Sequence, residues 1–303
     1  MTVPLSEACS FVPPLVPQLG VNFSTNVPAS TAPSFVLGST YGLGFVVIDP
    51  VSRIEYESLK AANTGHAPSI SPEWWLPLGV ENRLRMINGS VASQTTNPEQ
   101  IVVHLTPGRV ITTLAILNAN AQSVRIVMDD PDEGPVYDET VSLVLPAGSW
   151  SRWYRMPILR DTRMLVMDLP AYSQATVTVT ITNAGGVAAC GELLVGRAIV
   201  LGSTALGASA GIDDYSVKVR DKFGGWTIKE GGFSDTARFQ VFVEDEMVDR
   251  IRDTLTPYRA RACLYIGAPS FRSLWTYGFF ESFDEIFSDH GVSDCNLTTQ
   301  GIV

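Results

Sequence analysis

Along residues 173–183 the side chains alternate almost without fault: Ala175, Val177, Val179 and Ile181 fall on one face, and Thr176, Thr178, Thr180 and Thr182 on the other. A helix turning through 3.6 residues would scatter this pattern around its circumference, whereas a strand sorts it into one apolar and one hydroxyl face. The segment is therefore a half-buried antiparallel strand, and such a strand needs neighbours of its own kind. Val124, Ile126 and Met128 alternate in the same way, and apolar runs recur at residues 101–105, 110–117, 141–145, 164–167 and 193–195. Short strands separated by turn residues predict a β-sandwich over residues 83–207.

Composition agrees with a β-rich chain long enough for several cores. The 303 residues are 45% hydrophobic and 17% charged, with 25 Gly and 19 Pro, which suits a turn-rich β protein better than a helical or disordered one. A formal net charge of −10, without clustered Lys and Arg, argues against a nucleic-acid partner. No apolar run reaches the roughly eighteen residues that would span a bilayer. The opening Met1-Thr2-Val3-Pro4-Leu5-Ser6-Glu7 lacks a basic and an apolar leader region, so a soluble protein made in the cytosol is expected. Cys9, Cys190, Cys263 and Cys295 stand singly, away from zinc or redox spacing, and read as buried free thiols.

Either side of the sandwich the character changes. Residues 1–35 hold prolines and polar residues without periodicity, which predicts an extended arm suited to lying along a neighbouring subunit. Residues 36–82 are rich in aromatics and glycine. Beyond residue 207, Gly224-Gly225 sits between strand-like flanks and reads as a hairpin. Residues 239–243 read as a strand that runs into a helix over 244–258. There Met247, Val248, Ile251, Leu255 and Tyr258 recur at helical spacing, with acids in the first turn. Strands at 263–266, 274–280 and 293–298 would complete a small α+β domain over 208–303.

The spacing of Tyr41, Gly44, Val46, Val47, Tyr56, Asn63, Gly65, Pro68, Trp74, Trp75, Leu78 and Gly79 resembles the chitin-binding type of carbohydrate-binding module. That resemblance implies a sugar site in which flat rings stack on the C–H faces of a saccharide, with Tyr56, Trp74 and Trp75 as candidates. Adjacent residues of a strand point to opposite faces, so one of Trp74 and Trp75 is expected in the core and the other outside. The same three rings would equally serve to pack a domain this small. In the middle segment, Leu114-Ala115-Ile116-Leu117-Asn118, Trp153-Tyr154 and Gly191-Glu192-Leu193-Leu194-Val195-Gly196 resemble the galactose-binding-like, or discoidin-like, jelly roll. The final strand-helix-strand order, with Cys263-Leu264-Tyr265-Ile266, Trp275-Thr276-Tyr277-Gly278-Phe279 and Cys295-Asn296-Leu297, resembles tail-tip and baseplate proteins of tailed bacteriophages.

Catalytic patterns are missing. His66, His104 and His290 lie in unrelated segments, and no nucleophile elbow, P-loop or dinucleotide fingerprint occurs. A glycosidase needs two opposed carboxylates, and nothing in the spacing selects a pair. Asp129, Asp130 and Asp132 offer oxygen ligands for calcium, yet Asp, Pro and Gly are also what a strand-to-strand turn requires. No cofactor is expected.

The phage resemblance implies a structural, non-enzymatic virion component made in the host cytoplasm. It would pack in a ring with copies of itself and other tail proteins, and contribute contact with host-surface glycan. A free carbohydrate-binding protein and a polysaccharide-degrading enzyme are the alternatives.

Overall fold

The computed structural model describes residues 8–146, 148–205, 207–286 and 291–302, without the side chains of Arg152 and Trp153. Residues 1–7 of the expected arm, His290 and the Trp153 ring lie outside the described residues. The chain is mainly β, 51% strand and 10% helical.

The N-terminal part contains β1 (Ala8–Val12), β2 (Phe23–Thr25), β3 (Thr40–Tyr41), β4 (Val46–Ile48), β5 (Ile54–Ser58), β6 (Asn63–Thr64) and β7 (Trp75–Val80). The middle holds β8 (Thr95–Leu105), β9 (Thr113–Leu117), β10 (Ser123–Asp130), β11 (Gly134–Ser142), the short helix α1 (Trp150–Arg155), β12 (Met164–Val166), β13 (Thr176–Cys190) and β14 (Glu192–Gly196). There follow β15 (Ile199–Thr204), β16 (Ser209–Asp214), β17 (Val217–Arg220), β18 (Trp226–Lys229) and β19 (Phe233–Glu244). Helix α2 (Asp245–Leu255), β20 (Cys263–Ile266), β21 (Trp275–Ile286) and β22 (Val292–Gly301) complete the chain.

Among the described residues, a five-stranded sheet in the order β11-β10-β13-β8-β2 faces a three-stranded sheet in the order β12-β9-β14. The alternating strand lies at the centre, with Val177, Val179 and Ile181 buried beside Ile126, Met128, Ile101 and Val103. Leu114, Ile116, Leu193 and Val195 meet them from the smaller sheet. Each such side chain, fully buried, contributes roughly 1.5–3 kcal/mol. Strands β9 and β14 are buried along their whole length, because both of their faces are covered. Continuous apolar runs rather than alternation are the sequence form of that arrangement.

The second face of β9 and β14 rests on a barrel. Strands β15, β1, β20, β21, β22 and β19 follow one another, all antiparallel, and β19 returns to β15 through Ser203↔Phe242 and Thr204↔Val241. Inside lie Phe11, Phe239, Val241, Tyr265 and Leu297, and α2 adds Val248, Ile251 and Leu255. Outside, Val12, Leu264, Ile266, Trp275 and Tyr277 pack on Ala115, Leu117 and Leu194 of the sandwich. Ion pairs of Arg163 with Asp235 and of Arg272 with Asp161 join the same two bodies.

The arm expectation fails over residues 8–12, which form a fully buried barrel strand, and β2 extends the five-stranded sheet. Four apolar residues and a serine, all buried, show no period by themselves, so only their partners reveal the strand. Strand β15, within the segment expected to be sandwich, is likewise a barrel strand.

Candidate functional site

The aromatic segment folds as a three-stranded sheet, β4-β5-β7, beside the β3–β6 pair. Trp75 is 1% exposed and forms its centre, edge-on to Phe35 and Tyr41 at centroid distances of 5.9 and 5.3 Å. Its indole N–H donates to the His66 carbonyl at 2.9 Å. Tyr56 is also buried. Neither ring is available to a saccharide, which corrects the expectation for Tyr56 and Trp75: a module with so little core spends its largest rings on itself.

Trp74 lies in the turn that precedes β7, half-buried, and packs against the same cluster of Tyr41, Val47, Tyr56 and Trp75. The His66 ring stacks on it at 3.9 Å, and Lys60 Nζ stands over the indole 4.5 Å from its centroid. Both neighbours engage the indole, so its own domain already covers part of the ring.

The acidic cluster is a hairpin turn. Asp130 Oδ1 accepts the N–H groups of Asp132 at 3.1 Å and Glu133 at 3.4 Å, and Gly134 supplies the positive φ of 77° that starts β11. Asp130 is buried while Asp129 and Asp132 are exposed, so the three carboxylates do not converge on a calcium site. Among the described residues no three His, Cys, Asp or Glu side chains are grouped to hold a metal. His104 Nδ1 lies 3.0 Å from Thr178 Oγ1 across two strands.

Glu192 stands in the jelly-roll-like run Gly191-Glu192-Leu193-Leu194-Val195-Gly196 without being a candidate site, although a charged residue beside an apolar run was the available signal. It is 4% exposed and borders a cavity of about 440 Å³ between sandwich and barrel, lined also by Pro13, Pro14, Tyr258, Arg261 and Tyr277. Its Oε2 accepts the Gly89 N–H at 3.0 Å. Burial pushes its carboxyl up to about 8, and that hydrogen bond offsets part of the rise. A carboxyl so perturbed in a cavity is a place to look for chemistry. The lining contains no second carboxylate, so the opposed pair of a glycosidase is not formed there.

The exposed surface carries a different kind of feature. β17 and β18 form a two-stranded ribbon exposed along both strands, with Phe223 at its tip 99% exposed. Val217, Val219, Trp226 and Ile228 lie along it, all more than half exposed. On α1, Trp150 and Tyr154 are 78% and 81% exposed.

No protein-family model matches the chain, and no curated protein matches it. Among solved structures it is similar to a mutant of chitosan-binding module 1 from a chitosanase/glucanase of Paenibacillus sp. IK-5. That match has 15% identity and a TM-score of 0.26, over 38% of this chain and 84% of that one. It is also similar to the lectin domain of lectinolysin complexed with Lewis B antigen, at 14% identity and a TM-score of 0.27, over 37% of this chain and 82% of that one. Likenesses of this size do not fix a shared fold or ligand.

Proposed function

We propose that this chain is a non-catalytic structural subunit of a tailed-phage tail tip or baseplate, assembling with copies of itself and with other tail proteins. The observation that carries the assembly role is the projecting ribbon of β17 and β18, whose apolar side chains a lone subunit leaves in water. The tail setting comes from the resemblance of the C-terminal segment. Phage particles incubated with antibody against the chain should carry label at the tail end in negative-stain images. Label confined to heads, or none, rejects the reading.

A second reading, contact with a surface glycan, is favoured by Trp150 and Tyr154. Four residues apart on α1, they lie on one helix face and present two exposed rings, the surface that sugar C–H faces stack on. In a glycan array, Trp150→Ala with Tyr154→Ala should lower any signal at least tenfold. An unchanged signal removes α1 from the glycan reading.

A further inference from the structure

We infer that the β17–β18 ribbon is an arm that seats in an apolar groove of a second copy of this chain, in a head-to-tail contact that can repeat. The inference rests on the assembly role proposed above and names the two surfaces that perform it.

The ribbon is built to hold its posture. At its tip Asp221 Oδ1 accepts the N–H groups of Phe223 at 2.8 Å and Gly225 at 2.7 Å, and Gly224 takes a φ of 89°. At its base the Tyr215 hydroxyl lies 2.9 Å from Ser234 Oγ and accepts Gln300 Nε2 at 2.8 Å, while Gly231 N–H donates to Ser216 Oγ at 3.0 Å. A preformed arm gives up little conformational freedom on docking.

The groove lies where the barrel closes least completely. Strands β15 and β19 pair only through Ser203 and Thr204, and beyond that seam they part around a groove of about 450 Å³. Val200, Phe242, Met247 and Val292 line it, each between 37% and 47% exposed. Its charged lining residue is Glu244, and Asp245 and Glu246 follow in the first turn of α2. Near its tip the ribbon carries Arg220 and Lys222 against Asp221, while Lys218 is paired with Asp214 at the base and Lys229 adjoins Glu230. Apolar tip meets apolar groove, and the two cations beside the tip meet an acidic rim.

The ribbon cannot reach the groove of its own chain. The ribbon leaves the barrel beside Phe233, where β19 begins, whereas the groove lies at Phe242–Glu244, where β19 ends. At about 3.3 Å per residue these ends are roughly 30 Å apart, while the ribbon from Val217 to Phe223 reaches about 20 Å. An arm at one end and its groove at the other make a heterologous interface, which closes into a ring when the rotation allows.

Sedimentation of the full chain over a concentration series tests this, with Phe223→Asp as the arm variant and Met247→Arg as the groove variant. Both positions are solvent-accessible, and the melting temperature of each variant checks that it folds. The wild type should form oligomers and each variant alone should stay monomeric. An equimolar mixture of the two should stop at dimers, since one intact arm and one intact groove remain. A wild type that is monomeric throughout, folded variants that associate like the wild type, or a mixture that stays monomeric would each overturn the inference. Antibody label at the phage tail alongside variants that still associate would sink the arm-and-groove contact and leave the structural role standing.

Discussion

The imidazole of His66 lies flat on the indole of Trp74, with ring centroids 3.9 Å apart and planes 13° from parallel. With Lys60 also over the indole, the ring most readily taken for a sugar platform is already engaged by its own domain. The neighbouring Trp75 is the centre of that domain's core.

The two tryptophans should therefore respond to truncation in opposite measure. Trp75→Ala should destabilise the aromatic domain by about 3–5 kcal/mol through the cavity left behind. Trp74→Ala, which loses a partly exposed stack and cation–π contact, should cost about 1 kcal/mol and leave any saccharide binding intact. Urea unfolding followed by fluorescence, with a glycan array on the same samples, reads both. Loss of binding in folded Trp74→Ala would return that ring to the site.

What the sequence made legible was whatever a single strand or helix carries within itself. The Val177-Val179-Ile181 alternation and the Val248-Ile251-Leu255 stripe are local periodicities, and each is found where expected; Trp74 is in a turn rather than a strand and packs on the Trp75 cluster, so alternation does not govern the pair. Phe11 is a counter-example, because its strand is defined by β15 and β20, nearly two hundred residues away or more, and pairing over that distance leaves no local period. The sugar candidates failed for a related reason. An aromatic pattern is the same whether its rings face a ligand or one another, and only the packing around Tyr41, Tyr56 and Trp75 separates the two. Glu192 shows its significance only once the three-stranded sheet and the barrel enclose it.

The four cysteines are all buried and unbridged. Burial pushes the Cys9 and Cys263 thiols up to about 12 and that of Cys295 up to about 11, and raises Cys190 further. Because the thiolate is the reactive species, the native protein at pH 8 should resist iodoacetamide over a period in which the urea-unfolded chain takes up label on every cysteine. Intact mass spectrometry counts the adducts. Fast labelling of one thiol in the native protein would show a barrel or sandwich that opens locally.

Gly278 faces Gly301 across β21 and β22, and a Cβ placed on it would lie 1.9 Å from the Gln300 carbonyl oxygen. Gly278→Ala must push apart two strands of a closed barrel, so a loss of about 1–3 kcal/mol or more is expected. Gly42, with nothing within 4 Å of its added Cβ, is the control, and Gly42→Ala should stay within about 0.5 kcal/mol. Thermal melts of both compare them directly. Equal melts would mean that the barrel relaxes around Gly278.

Glu192 gives the fold a dependence on pH. Its carboxyl titrates near 4.5 in an ordinary setting and is pushed up to about 8 by burial, so between these values the folded chain holds a proton that the unfolded chain has released. Protonated Glu192 is therefore compatible with full stability below about pH 4.5, and that stability drains away as the pH rises towards 8. At about 1.4 kcal/mol for each unit of displacement, the loss amounts to several kcal/mol. Arg261 lines the same cavity, and Tyr277 and Cys190 are raised by burial first and by the Glu192 charge second. Glu192→Gln keeps an oxygen for the Gly89 N–H and cannot ionise. Urea unfolding from pH 5 to 8.5 should show the wild type weakening with pH, and Glu192→Gln should be flatter and the more stable of the two at the alkaline end. Parallel curves for the two proteins would mean that the cavity admits enough water to hold the carboxylate.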